Sequence, residues 1–184
     1  MNSNHAALCS SREWAERLQD DVLAPLVGGN GVGGRMIEIG PGPGAATEWL
    51  RHRVDHLVVV EADPAAAAAL AARFDDVEVV PGDAAALPYP DGEFDAAGSF
   101  TMLHHVPTRD AQDRVLAELV RVLRPGGVLV GSDSLASDGL REFHEGDTYN
   151  PLPPSHLLDR LQELGCSRIT VTVDRILTFT ARKP

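Results

Sequence analysis

From residue 35 onward, the apolar positions alternate between short continuous runs and helical stripes. The continuous runs predict buried strands, since both faces of a parallel sheet are covered. They span 36–39, 57–60, 77–80, 94–99 and 128–131. Stripes at helical spacing predict helices near 43–52, 64–73 and 108–123. This strand and helix alternation predicts an α/β fold with a doubly wound, mostly parallel sheet.

The residues before this region have a different pattern. Residues 10–26 open with Ser10-x-x-Glu13, a capping box, and continue with apolar residues at helical spacing. They therefore predict an amphipathic helix. A glycine-rich run follows the helix and precedes the first strand. We therefore interpret residues 1–34 as a cover segment made of a helix and a tether, and residues 35–184 as the main domain.

The C-terminal part departs from the alternation as well. Ser155 is predicted to cap a helix that stops at Gly165. Two strand-like runs follow, 169–173 and 176–180, and only two residues separate them. A crossover helix cannot fit into such a gap, so the two strands must be antiparallel.

Composition narrows the class of protein. The chain has 184 residues, of which 43% are hydrophobic, enough for one domain with its own core. Its formal net charge of -11 argues against nucleic acid as a partner. Cys9 and Cys166 form no disulfide framework, which favours a reducing cytoplasm. Apolar stretches are too short for a membrane span, so we expect no membrane partner, and the sequence is compatible with a homodimer.

A glycine-rich loop follows the first predicted strand and occupies residues 40–44, with Glu38 two residues before it. Ligands bind at this edge of an open α/β sheet. The spacing Gly40-x-Gly42-x-x-Ala45 also fits a dinucleotide fingerprint, so an NAD-linked oxidoreductase stays open. However, the two prolines of the loop offer no N–H to a pyrophosphate, and the carboxylate of Glu38 suits a cationic ligand.

Two further acids follow the next two strands. Glu61 comes about 20 residues after the loop, where an acid can accept from both hydroxyls of an adenosine ribose. Asp83 ends the third strand and could accept from an adenine amino group. Asp63, beside Glu61, is instead predicted to cap the helix that Pro64 begins. Acids at the ends of three consecutive strands indicate a nucleotide-type site far more specifically than a single acid does.

Over residues 35–134 the sequence resembles the class I S-adenosylmethionine-dependent methyltransferases, in particular the small-molecule type. Beside the glycine loop, the resemblance rests on Phe94-Asp95, Leu103-His104-His105-Val106 and Arg121-Val122-Leu123-Arg124-Pro125-Gly126-Gly127. It implies seven strands in the order 3-2-1-4-5-7-6, with strand 7 antiparallel. It also implies S-adenosyl-L-methionine as cofactor and methyl transfer to an O, N or C nucleophile of a small metabolite.

The resemblance assigns the cofactor-binding residues as well. Glu38 and the loop glycines would surround the methionine end, Glu61 the ribose, and Asp83 with Ala84 the adenine. Ser99 would face the cofactor's amino group through its backbone. The full predicted set is Glu38, Gly40, Gly42, Gly44, Glu61, Ala62, Asp83, Ala84 and Ser99.

Three histidines are candidates for catalysis. His104, His105 and His144 could take the acceptor's proton if the acceptor is a hydroxyl, although the first two could equally have structural roles. No metal site is predicted, because His144, Glu145 and Asp147 lack a preformed ligand spacing. The loop of residues 134–154 is expected to help cover the site.

Two features bear on the substrate. The residues after the fourth strand, Ser99-Phe100-Thr101-Met102, replace the proline-containing motif of amino methyltransferases, which counts against nucleobase methylation. The brevity of the chain leaves a non-catalytic S-adenosylmethionine-binding subunit open as an alternative to an enzyme.

Overall fold

The protein's structure, a computed structural model, describes residues 7–184 and contains one seven-stranded sheet. Its strands are β1 (Arg35–Ile39), β2 (His56–Glu61), β3 (Glu78–Pro81), β4 (Phe94–Phe100), β5 (Leu123–Asp133), β6 (Ser167–Val173) and β7 (Leu177–Arg182). Their order is β3-β2-β1-β4-β5-β7-β6. The first five strands are parallel, whereas β7 is antiparallel to both β5 and β6. The predicted fold and strand order are confirmed.

The helices cover both faces of this sheet. They are α1 (Arg12–Leu18), a π-helical segment (Gln19–Leu23), α2 (Ala24–Gly28), α3 (Ala45–Leu50), α4 (Pro64–Arg73), a 3₁₀ turn (Leu103–His105), α5 (Arg109–Val122), α6 (Asp138–Phe143) and α7 (Pro154–Glu163). The predicted bounds of α4 are confirmed, because Asp63 caps the helix and Pro64 occupies its first turn.

Successive residues of the central strands point to opposite faces and so build two cores. On β1, Ile37 and Ile39 join the core that includes the buried residues of α5 and α7. Met36 joins the other core, with the N-terminal helices and α3. Both faces are therefore buried, which explains the continuous apolar runs of the strands.

The N-terminal segment contributes to the second core. The residues of its apolar stripe that are buried there are Leu18, Val22, Leu23, Leu26 and Val27. This part of the predicted cover segment is thus a layer of the fold, and residues 1–6 of the segment lie outside the described residues. The predicted cap is wrong by one residue, because the Ser11 hydroxyl, not that of Ser10, accepts from the N–H of Trp14.

Two other boundaries differ from the prediction. Ser155 lies inside α7, whose N-cap is Pro153, because Pro154 takes the first helical position with its preset φ. Within the predicted loop of residues 134–154, α6 forms and is capped by Ser137. None of the helices in residues 7–184 combines the length and apolarity that a membrane span requires.

Candidate active site

A cavity of about 930 Å³ opens at the carboxyl edge of the sheet. This volume lies within the roughly 300–1,000 Å³ typical of small-molecule sites. Its walls come from the loop after β1, the ends of β2 and β3, and the segment after β4. Cys9 and Trp14 of the N-terminal segment line it too, as do Asp147 and Thr148. The edge predicted from the strand pattern therefore carries the cavity.

The glycine loop forms one wall and has left-handed backbone at Gly42 and Gly44, with φ of 53° and 84°. A Cβ on Gly42 would meet no atom within 4 Å, and Gly42 lines the cavity. A Cβ on Gly44 would instead meet Leu70 and Phe74 at 2.9 Å. Gly42 thus leaves room for a ligand, whereas Gly44 allows the loop to pack on α4.

Glu38 lies at the floor of the cavity and is almost fully buried. Its Oε2 accepts a hydrogen bond from the Thr47 hydroxyl at 2.7 Å. Burial raises the pKa of Glu38 to about 7; the Thr47 hydrogen bond opposes this shift and the charge of Glu61 adds to it. A cationic ligand group would favour the ionised carboxylate here.

Glu61 holds the glycine loop against the end of β2. Its Oε2 accepts from the N–H of Gly42 at 3.2 Å, and its Oε1 accepts from the N–H of Asp63 at 3.0 Å. Asp83 lies two residues after the end of β3, the strand beside β2, and is exposed. Its carboxylate accepts from the N–H of Ala85 at 2.8 Å. Carboxylate oxygens have further lone pairs, so both acids can still accept from ligand hydroxyl or amino groups.

Most of the predicted cofactor-binding residues meet at this cavity. Those that line it are Glu38, Gly40, Gly42, Glu61, Ala62, Asp83 and Ala84. Gly44 and Ser99 are not among the lining residues. Ser99 is fully buried, and its hydroxyl has no hydrogen-bond partner in the described residues.

The last residue of β4, Phe100, lines the cavity in place of Ser99, together with Thr101 and Met102, which follow the strand. Sequence reasoning missed Thr101, which has a φ of 52°, uncommon for a residue with a side chain. No local sequence signal marks this conformation.

Asp133 was also missed, although it ends β5 as the other acids end their strands. It is fully buried, and its carboxylate forms a hydrogen bond with His104 Nδ1. The same carboxylate accepts from the backbone N–H of His104 at 3.0 Å. A carboxylate can only accept, so Nδ1 is the donor nitrogen of the His104 ring in this hydrogen bond.

His104, His105 and His144 come together although 39 residues separate the last two in sequence. Ring centroids lie 4.1 Å apart for His104 and His105, 5.1 Å for His104 and His144, and 5.2 Å for His105 and His144. His144 Nδ1 donates to the Leu140 carbonyl at 2.6 Å, and its ring stacks on Tyr149. Only His105 of the three lines the cavity.

The half-buried Asn150 and the buried Gln112 hold the histidine-bearing turn in place. Asn150 donates from its backbone to the His104 carbonyl at 2.7 Å and from its side chain to the Val106 carbonyl at 2.9 Å. Gln112 of α5 donates to the carbonyls of Leu103 and Asn150. The turn is therefore tied both to α5 and to the segment that follows α6.

Residues 37–131 match the sequence profile of a family described as a methyltransferase domain. The chain belongs to this methyltransferase family. Over 164 residues, the methyltransferase is 31% identical to a Mycolicibacterium smegmatis protein named as S-adenosylmethionine-dependent. Over 53 residues, it is 43% identical to an Arabidopsis thaliana tRNA (carboxymethyluridine(34)-5-O)-methyltransferase. These matches cover 89% and 29% of this chain.

The chain spans 58% of the length of the mycobacterial relative and 13% of the plant enzyme. A solved structure with the same fold is Haemonchus contortus phosphoethanolamine N-methyltransferase 2 in complex with S-adenosyl-L-methionine. It aligns with a TM-score of 0.73 and 17% identity, covering 93% of this chain and 53% of that one.

S-adenosylmethionine is the cofactor of this methyltransferase, and the cavity fits it. The open space at Gly42 allows the cofactor to approach the backbone of the loop. The buried Glu38 carboxylate suits the cationic methionine end of the cofactor. Glu61 and Asp83 stand at neighbouring strand ends, where ribose and adenine offer hydroxyl and amino donors.

Proposed function

We propose that this methyltransferase transfers the methyl group of S-adenosylmethionine to an O, N or C nucleophile of a small metabolite. The observation that carries the proposal is the shared cavity, which joins the cofactor-binding residues to His105, Met102 and Val106. Its volume of about 930 Å³ is ample for a small acceptor beside the cofactor.

Each wall of the cavity has a separate task in this proposal. Glu38 and Gly42 hold the methionine end, Glu61 the ribose and Asp83 the adenine. When bound, the cofactor supplies an electrophilic methyl group, so the protein mainly positions the acceptor. The histidine cluster, His104 with His105 and His144, lies on the acceptor side and assists removal of the acceptor's proton.

A small molecule is proposed over a tRNA acceptor. The net charge of -11 opposes binding to a phosphate backbone, and the likeness to the tRNA enzyme covers only 53 residues. Among residues 7–184, the arginine and lysine side chains that line the cavity are those of Arg73 and Arg114. Arg73 already contacts Glu48 and the Pro43 carbonyl.

The proposal includes a reducing cytoplasm as the location. Cys9 and Cys166 are free thiols, and burial raises the pKa of Cys9 to about 11, so it stays protonated near neutral pH. It also includes a covering role for residues 7–17, since Cys9 and Trp14 line the cavity.

Calorimetric titration with S-adenosylmethionine and with NAD tests the cofactor, and release of S-adenosylhomocysteine tests turnover. We expect micromolar binding of the first ligand alone, and product release with a small hydroxyl, amine or carbon acid but not with tRNA. Binding of NAD alone would favour an oxidoreductase. Cofactor binding without turnover across all acceptor classes would favour a non-catalytic subunit.

A further inference from the structure

Three imidazoles meet beside the cavity with their ligand atoms close together. One nitrogen from each of His104, His105 and His144 lies within 4.8 Å of the others. We propose that these three residues form a binding site for a divalent transition-metal ion of the zinc class, with one coordination position open to the cavity. Imidazole nitrogen is a ligand that such ions favour.

The distances are close to those of a bound site. A zinc–nitrogen bond of about 2.0–2.1 Å places the nitrogens of a tetrahedral site roughly 3.3 Å apart. The widest separation in the cluster is 4.8 Å, so the rings need to converge by about 1.5 Å. His105 is half-buried in a 3₁₀ turn at the cavity wall, and a change of its side-chain rotamer would supply this convergence.

Two of the three histidine rings make the hydrogen bonds that usually orient metal-binding histidines. A metal-binding histidine usually donates its other ring N–H to a carboxylate or a backbone carbonyl. His104 Nδ1 donates to the buried Asp133 carboxylate, and His144 Nδ1 donates to the Leu140 carbonyl. With Nδ1 engaged in this way, an ion held by the two rings would be coordinated through Nε2.

The sequence spacing does not show this site, because its ligands come from two separate segments. His104 and His105 follow β4, whereas His144 follows α6. The hydrogen bond from the Asn150 backbone to the His104 carbonyl, at 2.7 Å, joins the two segments. The fold thus assembles a three-histidine set that neither segment contains.

The open position has a role that rests on the proposed function. His105 lines the cavity while His104 and His144 lie buried behind it, so an ion held by all three would sit at the cavity wall. A metal ion lowers the pKa of a coordinated hydroxyl or thiol. The substrate class that this site fits is therefore an acceptor with a hydroxyl or thiol group.

Metal titration of the full chain, freed of any purification tag and stripped with a chelator, tests the site. Calorimetry with Zn²⁺ should show one ion per chain, and Co²⁺ should give the visible absorption of a nitrogen-ligated ion. His105→Gln and His144→Gln should each weaken Zn²⁺ binding by about 100-fold. Asp133→Asn should weaken it by about 10- to 100-fold, the range for outer-shell partners.

His156→Gln is the matched control, because His156 is exposed and lies outside the cluster. Thermal melting establishes that each variant is folded. A wild-type chain that binds no ion at micromolar concentration, or cluster variants that bind as the control does, would overturn the proposal. The metal titration needs no cofactor or acceptor. A wild-type chain that binds Zn²⁺ but not S-adenosylmethionine would therefore contradict only the proposed function.

Discussion

The two sides of the cavity are assembled in different ways. On the side proposed for the cofactor, Glu38, Glu61 and Asp83 lie near the carboxyl ends of three neighbouring strands. On the acceptor side, His104 pairs with Asp133, which is 29 residues away, and with His144 on a third segment. The proposed cofactor side follows from the pairing of neighbouring parallel strands, whereas the proposed acceptor side also requires loops from separate segments to pack together.

This difference separates what each side must do. A cofactor that is common to a whole family can be bound by similar motifs at several strand ends. These motifs have to recognise one molecule only. The acceptor side is carried by loops, which vary most readily without disturbing the sheet. Substitutions on the two sides should therefore separate cofactor affinity from turnover.

The largest expected effect is on the cofactor side, at Gly42. Gly42→Val should lower cofactor affinity by about 1,000-fold or more, because the new side chain fills the open space of the cavity. Gly126→Val is the control, since Gly126 also has a left-handed φ and open space but does not line the cavity. Equal cofactor affinity in two folded variants, measured by calorimetry, would contradict the assignment of the loop.

The acceptor side should show the opposite behaviour. His105→Ala should reduce turnover by about 100-fold, the lower range for assistance to proton transfer, with cofactor affinity changed less than about twofold. Steady-state kinetics and cofactor titration together check this. The exposed His156→Ala variant should retain both quantities. A parallel loss of cofactor affinity in His105→Ala would mean that the two sides are not separable.

Glu61→Ala should weaken cofactor binding by about 1.5 to 3 kcal/mol, the range for hydrogen bonds to a charged group. This corresponds to roughly 10- to 100-fold in Kd. Part of the loss comes from the Gly42 N–H, which Glu61 also holds. Glu78→Ala removes an exposed acid outside the cavity and should leave the Kd unchanged. An unaffected Kd in Glu61→Ala would place the ribose contact elsewhere.

The smallest effect is on pH dependence. Because burial raises the pKa of Glu38 to about 7, cofactor affinity should rise roughly tenfold between pH 6 and pH 8 as the carboxylate ionises. The free protein should lose some stability as pH rises from about 4.5 toward 7, since the unfolded chain releases this proton first. Glu38→Gln should flatten both profiles, which titration and melting curves can measure.

Much of the fold and of the cofactor side could be predicted from the sequence because both depend on short-range patterns. Apolar runs, a glycine loop and strand-end acids place Glu38, Gly42 and Glu61 before any packing is known. By contrast, the partnership of Asp133 with His104 and the position of His144 depend on which loops meet. The Thr101 backbone conformation likewise has no local signal, since it is imposed by the surrounding turn.

The N-terminal segment shows the same limit from another direction. Its apolar stripe predicts a helix, but the stripe alone does not indicate which part of the protein packs against it. Leu23 is fully buried in the core under the sheet, so this part of the segment is a layer of the fold. The sequence likewise offers two adjacent serines as the helix cap, Ser10 and Ser11. The structure shows that Ser11 accepts from the first turn of the helix.

The position of β7 has a consequence for the order in which the protein folds. Within the described sheet, β6 contacts no strand except β7, and β7 is the strand that pairs with the outer edge of β5. Strand β6 can therefore join the sheet only together with β7 or after it. Hairpins form within about 1–10 μs, while distant pairings are slow because of the loop that they close. We therefore expect the pairing of β7 with β5, about 50 residues apart in the chain, to form more slowly than the hairpin itself.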